Sequence, residues 1–218
     1  MNLFVRSVSG IKGLVYKVLN GSLRNFELQP NITLGKYTYG FENIRISWGG
    51  DAKVVIGSFT SIAANLQIQL GGNHNSQSIS TYPFGYVREK EKVLFGPPIM
   101  NHPLAPKSVN IGNDVWIGNN VTIMGGARIG DGAIIAMNSH VVGEIGPYEV
   151  CGGNPARKIR DRFSPEITKE LCELRWWEAE DMKIEQIKHL LTEAPSMHSI
   201  QEIKAILGNR NLLQDKES

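Results

Sequence analysis

The stretch IGNDVWIGNNVTIMGGARIGDGAIIAMNSHVV, residues 111–142, returns an aliphatic residue every six positions: Ile111, Ile117, Ile123, Ile129, Ile135 and Val141. Two places before each stands a small or β-branched residue: Val109, Val115, Val121, Ala127, Ala133 and Ser139. A period of 3.6 would indicate helix and a period of 2 a strand. A period of six is a short strand plus a tight turn, repeated. The paired residues of each hexad lie on one face of that strand. Gly112-Asn113-Asp114, Gly118-Asn119-Asn120 and Gly130-Asp131-Gly132 follow, and these residue types tolerate positive φ and turn the chain. Three sides close a triangular coil. Stacked coils pair their strands in parallel at about 4.8 Å, around a narrow aliphatic column.

The same period appears earlier. VVIGSFTSIAANLQI, residues 54–68, carries Ile56, Ile62 and Ile68, with Val54, Thr60 and Leu66 two before each. Ile56 and Ile111 are 55 apart, not a multiple of six, so an insertion of roughly residues 69–108 interrupts the coil. It is rich in Gly, Pro and Asn, and Tyr82, Phe84, Tyr86 and Phe95 argue for an ordered loop. Degraded coils are read around Ile32, Leu34, Ile44 and Ile46. The expected organisation is therefore an N-terminal helical extension over 1–29, a β-helix over 30–150, and a turn with C-terminal helices over 151–218. In the extension, Phe4, Val8, Ile11, Val15 and Val18 follow i, i+3/i+4 spacing and predict a short amphipathic helix. That helix either packs on protein or rests on a membrane surface through Arg6, Lys12 and Lys17. In the last part, Ser164 as N-cap, Pro165 and Glu166 open a helix carrying Ile167, Leu171 and Leu174 on one face. Further helices are expected at about 182–191 and 200–207, the last stopped by Gly208.

A net charge of +2 gives no global electrostatic case for nucleic acid. Two cysteines are too few for a disulfide framework, and no CxxC pair points to zinc. With no 18-residue apolar run and no cleavable signal pattern, a soluble cytoplasmic protein is expected.

A filled column leaves chemistry to its outside, to the insertion and to subunit interfaces. LGGNHNSQS, residues 70–78, sets His74 beside two glycines and between two asparagines. His74 is the best general-base candidate, against a surface histidine with no role. His102 is a second polar candidate near the end of the insertion, and His140 is expected to point outward from a turn. CGGNPARKIR, residues 151–160, joins a close-approach glycine pair to Arg157, Lys158 and Arg160. It reads either as a phosphate-binding turn or as a solvated basic one.

The stretches IGSFTSIA, GGNHNSQSISTYPF, IGNDVWIGNNVTIMGGARIGDGAIIA, GGNPARKIRDRFS and LRWW, in order over about residues 30–190, resemble the hexapeptide-repeat acyltransferases. Within them the resemblance is to the xenobiotic branch, the streptogramin and hexapeptide-type chloramphenicol acetyltransferases. It implies a left-handed parallel β-helix, a homotrimer with active sites at subunit interfaces, and acetyl-CoA as co-substrate with no metal. It implies His74 as the catalytic base and Trp116 near the acetyl end of acetyl-CoA. Asn154, Pro155 and Lys158 would border its adenine and phosphate end, and Gly126, Ala136 and Ser139 its pantetheine arm. Asn73, Tyr82 and Phe84 of the insertion, with Tyr37, are the candidate acceptor contacts.

The chain departs from that pattern in its short GFENIRISWGGDAKV segment, residues 40–54, where antibiotic-acting members are longer. The departure favours a saccharide acceptor of a surface-polysaccharide or nucleotide-sugar pathway, with an antibiotic as the alternative. A zinc lyase on the same coil would need converging histidines, and the spacing of His74, His102 and His140 does not match one. A non-catalytic scaffold trimer would have no use for His74 together with GGNPARK.

Overall fold

The structure, a computed structural model, describes residues 31–89, 92–99 and 104–208, and the backbone of 14–19 and 22–27. The hexads build three parallel sheets that form the sides of a prism. The first face stacks Ile32–Leu34, Val54–Ile56, Val109–Ile111, Arg128–Ile129 and Glu144–Ile145. The second stacks Ser61–Ile62, Trp116–Ile117, Ile134–Ile135 and Glu149–Gly153, to which Ala156–Asp161 adds an antiparallel edge. The third stacks Ile44–Ser47, Leu66–Gln69, Thr122–Met124 and His140–Val141.

Partners in neighbouring coils are eighteen residues apart where the repeat is unbroken, as Ile111 with Ile129. Across the insertion Ile56 pairs with Ile111 directly, so the insertion leaves the stack in register. Between the first two coils Leu34 pairs with Ile56, twenty-two apart, which leaves four additional residues.

Both positions of each hexad point inward. Ile56, Ile62, Ile68, Ile111, Ile117, Ile123, Ile129, Ile135 and Val141 are at most 3% exposed, as are Val54, Thr60, Leu66, Val109, Val115, Val121, Ala127, Ala133 and Ser139. The corners take positive φ at Asn65, Asn120 and Asn138, which stack along the second corner. There Asn65 donates to Asn120 at 3.0 Å and Asn120 to Asn138 at 3.2 Å. The amide ladder satisfies side chains that the left-handed turn requires.

The expected N-terminal helix is not formed where the backbone is described. Leu14–Leu19 and Ser22–Glu27 pair as an antiparallel hairpin, with Val15 opposite Phe26 and Val18 opposite Leu23. Valines at i and i+3 fit a helical stripe, but β-branched and aromatic residues flanking Asn20-Gly21 are a hairpin signal that the spacing argument overlooked. Phe4, Val8 and Ile11 lie outside the described residues. His140, expected at a turn, stands on a strand opposite Thr122.

Three helices follow the coil: α1 Pro165–Leu174, α2 Asp181–Leu191 and α3 Met197–Gly208. Ile200 and Leu171 pack with Tyr148, which seats the helices against the first corner, where the chain passes from the first face to the second. Ser164 caps α1 by accepting from the Ile167 N–H at 3.3 Å. Ser164→Ala is expected to cost about 1 kcal/mol of stability, read as a lower midpoint in chemical denaturation. Ser196 starts α3 three residues earlier than expected. Its hydroxyl accepts from the Ser199 N–H at 3.0 Å, and Ser199 accepts from the Ser196 N–H at 2.9 Å.

Candidate active site

The insertion leaves from the third corner, between the third and first faces. Its root is closed by the Lys107 N–H to the Leu70 carbonyl and the Leu104 N–H to the Asn73 carbonyl, each 2.8 Å. Gly71 and Gly72 lie against Trp48. A Cβ on Gly71 would fall 2.8 Å from the Trp48 carbonyl, and one on Gly72, at φ +79, 3.0 Å from the indole. Only glycine allows this approach, and it presents His74 two residues on, with an exposed side chain.

His74 Nδ1 stands 2.5 Å from the Thr81 carbonyl. A carbonyl oxygen only accepts, so Nδ1 carries the proton, and in the neutral ring Nε2 keeps its lone pair. This backbone contact thus sets the tautomer. Around it Tyr82, Phe84 and Phe95 form an edge-packed aromatic cluster, with centroids 4.9 Å (Tyr82–Phe84) and 5.4 Å (Phe84–Phe95) apart. A hollow of about 340 Å³ beside Gly72 is walled by Trp48, Tyr86, Leu104 and Pro106. Trp48 was missed in the sequence reading. It stands among the four additional residues of the first coil, out of period and followed by Gly49-Gly50, which was the available signal. His102 lies outside the described residues.

The residues expected to meet acetyl-CoA gather on the second face and second corner. Trp116 projects outward, 56% exposed, from a strand flanked by Ser61 and Ile134. Ser139 donates to the Ala136 carbonyl at 2.6 Å and accepts from the Gly153 N–H at 3.3 Å, so its side chain braces the corner from inside. Asn154 and Pro155, joined by a cis peptide bond, form the hairpin tip between Glu149–Gly153 and Ala156–Asp161. Lys158 bridges Asp161 at 2.7 Å and Glu149 at 3.1 Å; these hydrogen bonds raise its pKa, Asp161 contributing most. Exposed Trp116, Met137 and Ile159 leave apolar surface on this side, with Arg157 and Arg160 beyond it.

Gly126 does not join this group. It turns at the third corner, where an added Cβ would lie 3.3 Å from Lys107 Cδ, on the side of the histidine loop. Tyr37 stands at the first corner, its ring 4.9 Å from Phe59 and its hydroxyl donating to Asp181 at the start of α2. That bond raises the Tyr37 pKa and ties the coil to the helices. A single chain therefore sets His74, Asn73, Tyr82, Phe84 and Gly126 at the third corner. The other cofactor candidates lie along the second face and second corner, and Tyr37 is at the first corner.

Cys151 is buried, and desolvation with the nearby Glu149 pushes its thiol up to about 11. Cys172 is shifted upward mainly by burial. Neither is an activated nucleophile. Among the described residues no three His, Cys, Asp or Glu converge as a metal group. No described helix is long and apolar enough to cross a membrane.

Asp114, at the first corner, is pushed up to about 6 by burial, with Arg162 opposing and Asp131 adding to the shift. The folded state then holds this proton more tightly than the unfolded chain. The stability from Asp114 is present in acid and is lost as pH rises through about 6. The unfolding free energy of the wild type minus that of Asp114→Asn is expected to shrink between about pH 4 and pH 7, measured by denaturant titration at each pH.

Parallel hexad coils, a loop histidine of fixed tautomer and a glycine-rich hairpin across the corner are the parts of a transferase built on a β-helix. Residues 108–143 match the family "Bacterial transferase hexapeptide (six repeats)". The chain is 44% identical over 150 residues to a probable macrolide acetyltransferase of Lysinibacillus sphaericus, covering 68% of this chain and 82% of that one. It is 37% identical over 161 residues to a chloramphenicol acetyltransferase of Agrobacterium fabrum, covering 68% and 76%. Among solved structures it is similar to a hexapeptide-repeat acetyltransferase of Vibrio cholerae complexed with acetyl coenzyme A, at 27% identity, 63% and 64% coverage and a TM-score of 0.46. The chain belongs to the hexapeptide-repeat acetyltransferases, in the branch of the xenobiotic enzymes.

Proposed function

We propose that the protein transfers the acetyl group of acetyl-CoA to a hydroxyl of a small, largely apolar acceptor of the antibiotic kind. His74 acts as the general base. The observation that carries this reading is the His74 Nδ1 contact to the Thr81 carbonyl, which sets the tautomer whose Nε2 can take a proton, on an exposed loop. The acceptor hydroxyl gives its proton to Nε2 as its oxygen attacks the thioester carbonyl. The tetrahedral adduct collapses, the C–S bond breaks, and the proton passes from His74 to the departing thiolate, giving the ester and free CoA. The oxyanion needs a donor, for which the N–H groups of the coil turns and the loop are at hand. Direct transfer fits the raised thiol pKa of Cys151, which disfavours an acyl-enzyme at that residue.

The acetyl-CoA arm is assigned to the strip of Trp116, Met137 and Ile159, with Ala136 and Ser139 backing it and Asn154, Pro155 and Lys158 at its far end. Lys158 would then exchange part of its pairing with Glu149 and Asp161 for phosphate. The histidine and this strip stand on different corners of one chain. The site is therefore assigned to the interface of two neighbours in a homotrimer of left-handed coils, the histidine loop of one reaching the second corner of the next. The apolar hollow beside Trp48 and the aromatic cluster support an acceptor with a large nonpolar body. Tyr37 and Gly126 remain acceptor and cofactor contacts only through such a neighbour.

A saccharide acceptor is the second reading. It is favoured by the corner of the first coil, where only four additional residues leave the acceptor side with a low wall. Free-thiol release from acetyl-CoA, measured against chloramphenicol, macrolide and streptogramin A compounds and against amino sugars, nucleotide sugars and short glycans, separates the two. Turnover confined to the antibiotics is expected. Turnover confined to the sugars establishes the second reading, and no thiol release with either panel contradicts both.

A further inference from the structure

A cavity of about 660 Å³ lies between the first corner of the coil and the three C-terminal helices, away from the corner that carries His74. Its size is that of a small-molecule site. Ile167, Leu171, Leu190, Leu191, Ile200 and Ile203 line it with aliphatic surface. On the helical side Ser164, Thr192, Glu193 and Ser199 add polar groups, and on the coil side Asp114, Tyr148 and Arg162 meet.

Their mutual contacts leave hydrogen-bonding capacity unused. Arg162 Nη1 gives its hydrogen bond to the Gly132 carbonyl at 2.5 Å. Its guanidinium sits 5.3 Å from the Tyr148 ring and 5.0 Å from the Phe163 ring. It faces the Asp114 carboxylate at 3.9 Å, attractive but beyond hydrogen-bond reach. The Tyr148 hydroxyl is buried and meets no hydrogen-bond partner among the described residues, a condition folded proteins rarely tolerate without a reason. Its ring packs on Gly132, where a Cβ would fall 2.3 Å from Tyr148 Cε1.

The charge around this wall decides the kind of head group. Asp131 lies close enough to raise both Asp114 and Tyr148, and Glu193 stands on the rim. Arg162 is the cation that opposes them. From α1, Cys172 adds a further upward influence on Tyr148, while the stretch of α3 lining the cavity contributes Ser199, Ile200 and Ile203. Three carboxylates against one guanidinium favour a cation over an anion. An ammonium head would donate to the Asp114 carboxylate, and a small turn of the Tyr148 side chain would bring its unpartnered oxygen to the same head.

We propose that this cavity is a second binding site, distinct from the acetyl-transfer site, for an amphiphile with an aliphatic body and a protonated amine head. Such a cation needs the ionised Asp114, which burial holds up to about 6, so binding tightens as the pH rises through that value.

The test is calorimetric titration of the full-length protein with octylamine, octanoate and 1-octanol. Saturable octylamine binding is expected, about tenfold tighter at pH 7.5 than at pH 5, with octanol weaker and octanoate weakest. Asp114→Asn should lower octylamine affinity at pH 7.5 by about tenfold or more and flatten the pH dependence. Ile203→Phe, which narrows the cavity and leaves the head-group wall intact, should weaken octylamine and octanol alike. A circular-dichroism melt of each variant establishes that it is folded; if Ile203→Phe does not fold, the Asp114→Asn comparison decides alone. Octanoate binding as tightly as octylamine, octylamine affinity indifferent to pH, or affinity unchanged by Asp114→Asn would each overturn the proposal. None of these readouts depends on acetyl transfer.

Discussion

His74→Ala is expected to lower kcat by about 10²–10⁴-fold, the usual range for loss of a general base, with the KM for acetyl-CoA nearly unchanged. The split follows from the geometry. In the proposed mechanism His74 moves the proton from the acceptor to the departing thiolate, while the surface assigned to acetyl-CoA lies on another corner of the coil. The side chain is exposed and the loop root is held by the Leu70–Lys107 and Asn73–Leu104 backbone bonds, so the variant should fold as the wild type does. Steady-state rates with the best acceptor, followed by thiol release, check the prediction. A kcat within about threefold of wild type would remove His74 from the chemistry.

Ile123→Ala is expected to cost about 2–5 kcal/mol, toward the upper end of that range. Ile123 is fully buried in the middle of the third face, between Ile68 above and Val141 below. In many cores the neighbours of a truncated side chain relax into the space. Here each layer is pinned by backbone ladders on three sides, so the void should persist and with it the cavity cost. For a chain of this size the Tm should fall by about 2–4 °C for each kcal/mol, read at fixed protein concentration because the proposed homotrimer would contribute. A loss under about 1 kcal/mol would mean that the column is more compliant than its ladders imply.

The coil was legible because each hexad turns two residues inward and each corner there takes a residue tolerant of positive φ, so period and turn chemistry agree from Val109 to Val141. The insertion was legible by the failure of the period, and its histidine by the Gly71-Gly72 pair. What escaped was of two kinds. Short apolar runs with ambiguous spacing, such as Val15 to Val18, satisfy helix and strand alike until a pairing partner decides. Contacts between residues far apart in sequence leave no local trace. Trp48 meets Gly72 because the coil returns the third corner to the same place, and Tyr37 meets Asp181 and Asp114 meets Arg162 because the C-terminal segment folds back on the first corner. The corner each candidate occupies follows from counting hexads, and that count separates the histidine from the acetyl-CoA surface within one chain.

The most direct test of a site shared between chains is complementation. His74→Ala lacks the base, and Ala136→Trp should block the acetyl-CoA surface at the second corner. Each homotrimer should be inactive. Equal amounts co-expressed and purified as mixed trimers should recover about a third of wild-type activity, because in each mixed ring an intact loop meets an intact corner at about one interface in three. Mixed trimers as inactive as either parent would show that the base and the acetyl-CoA surface must come from the same chain, and would contradict the account.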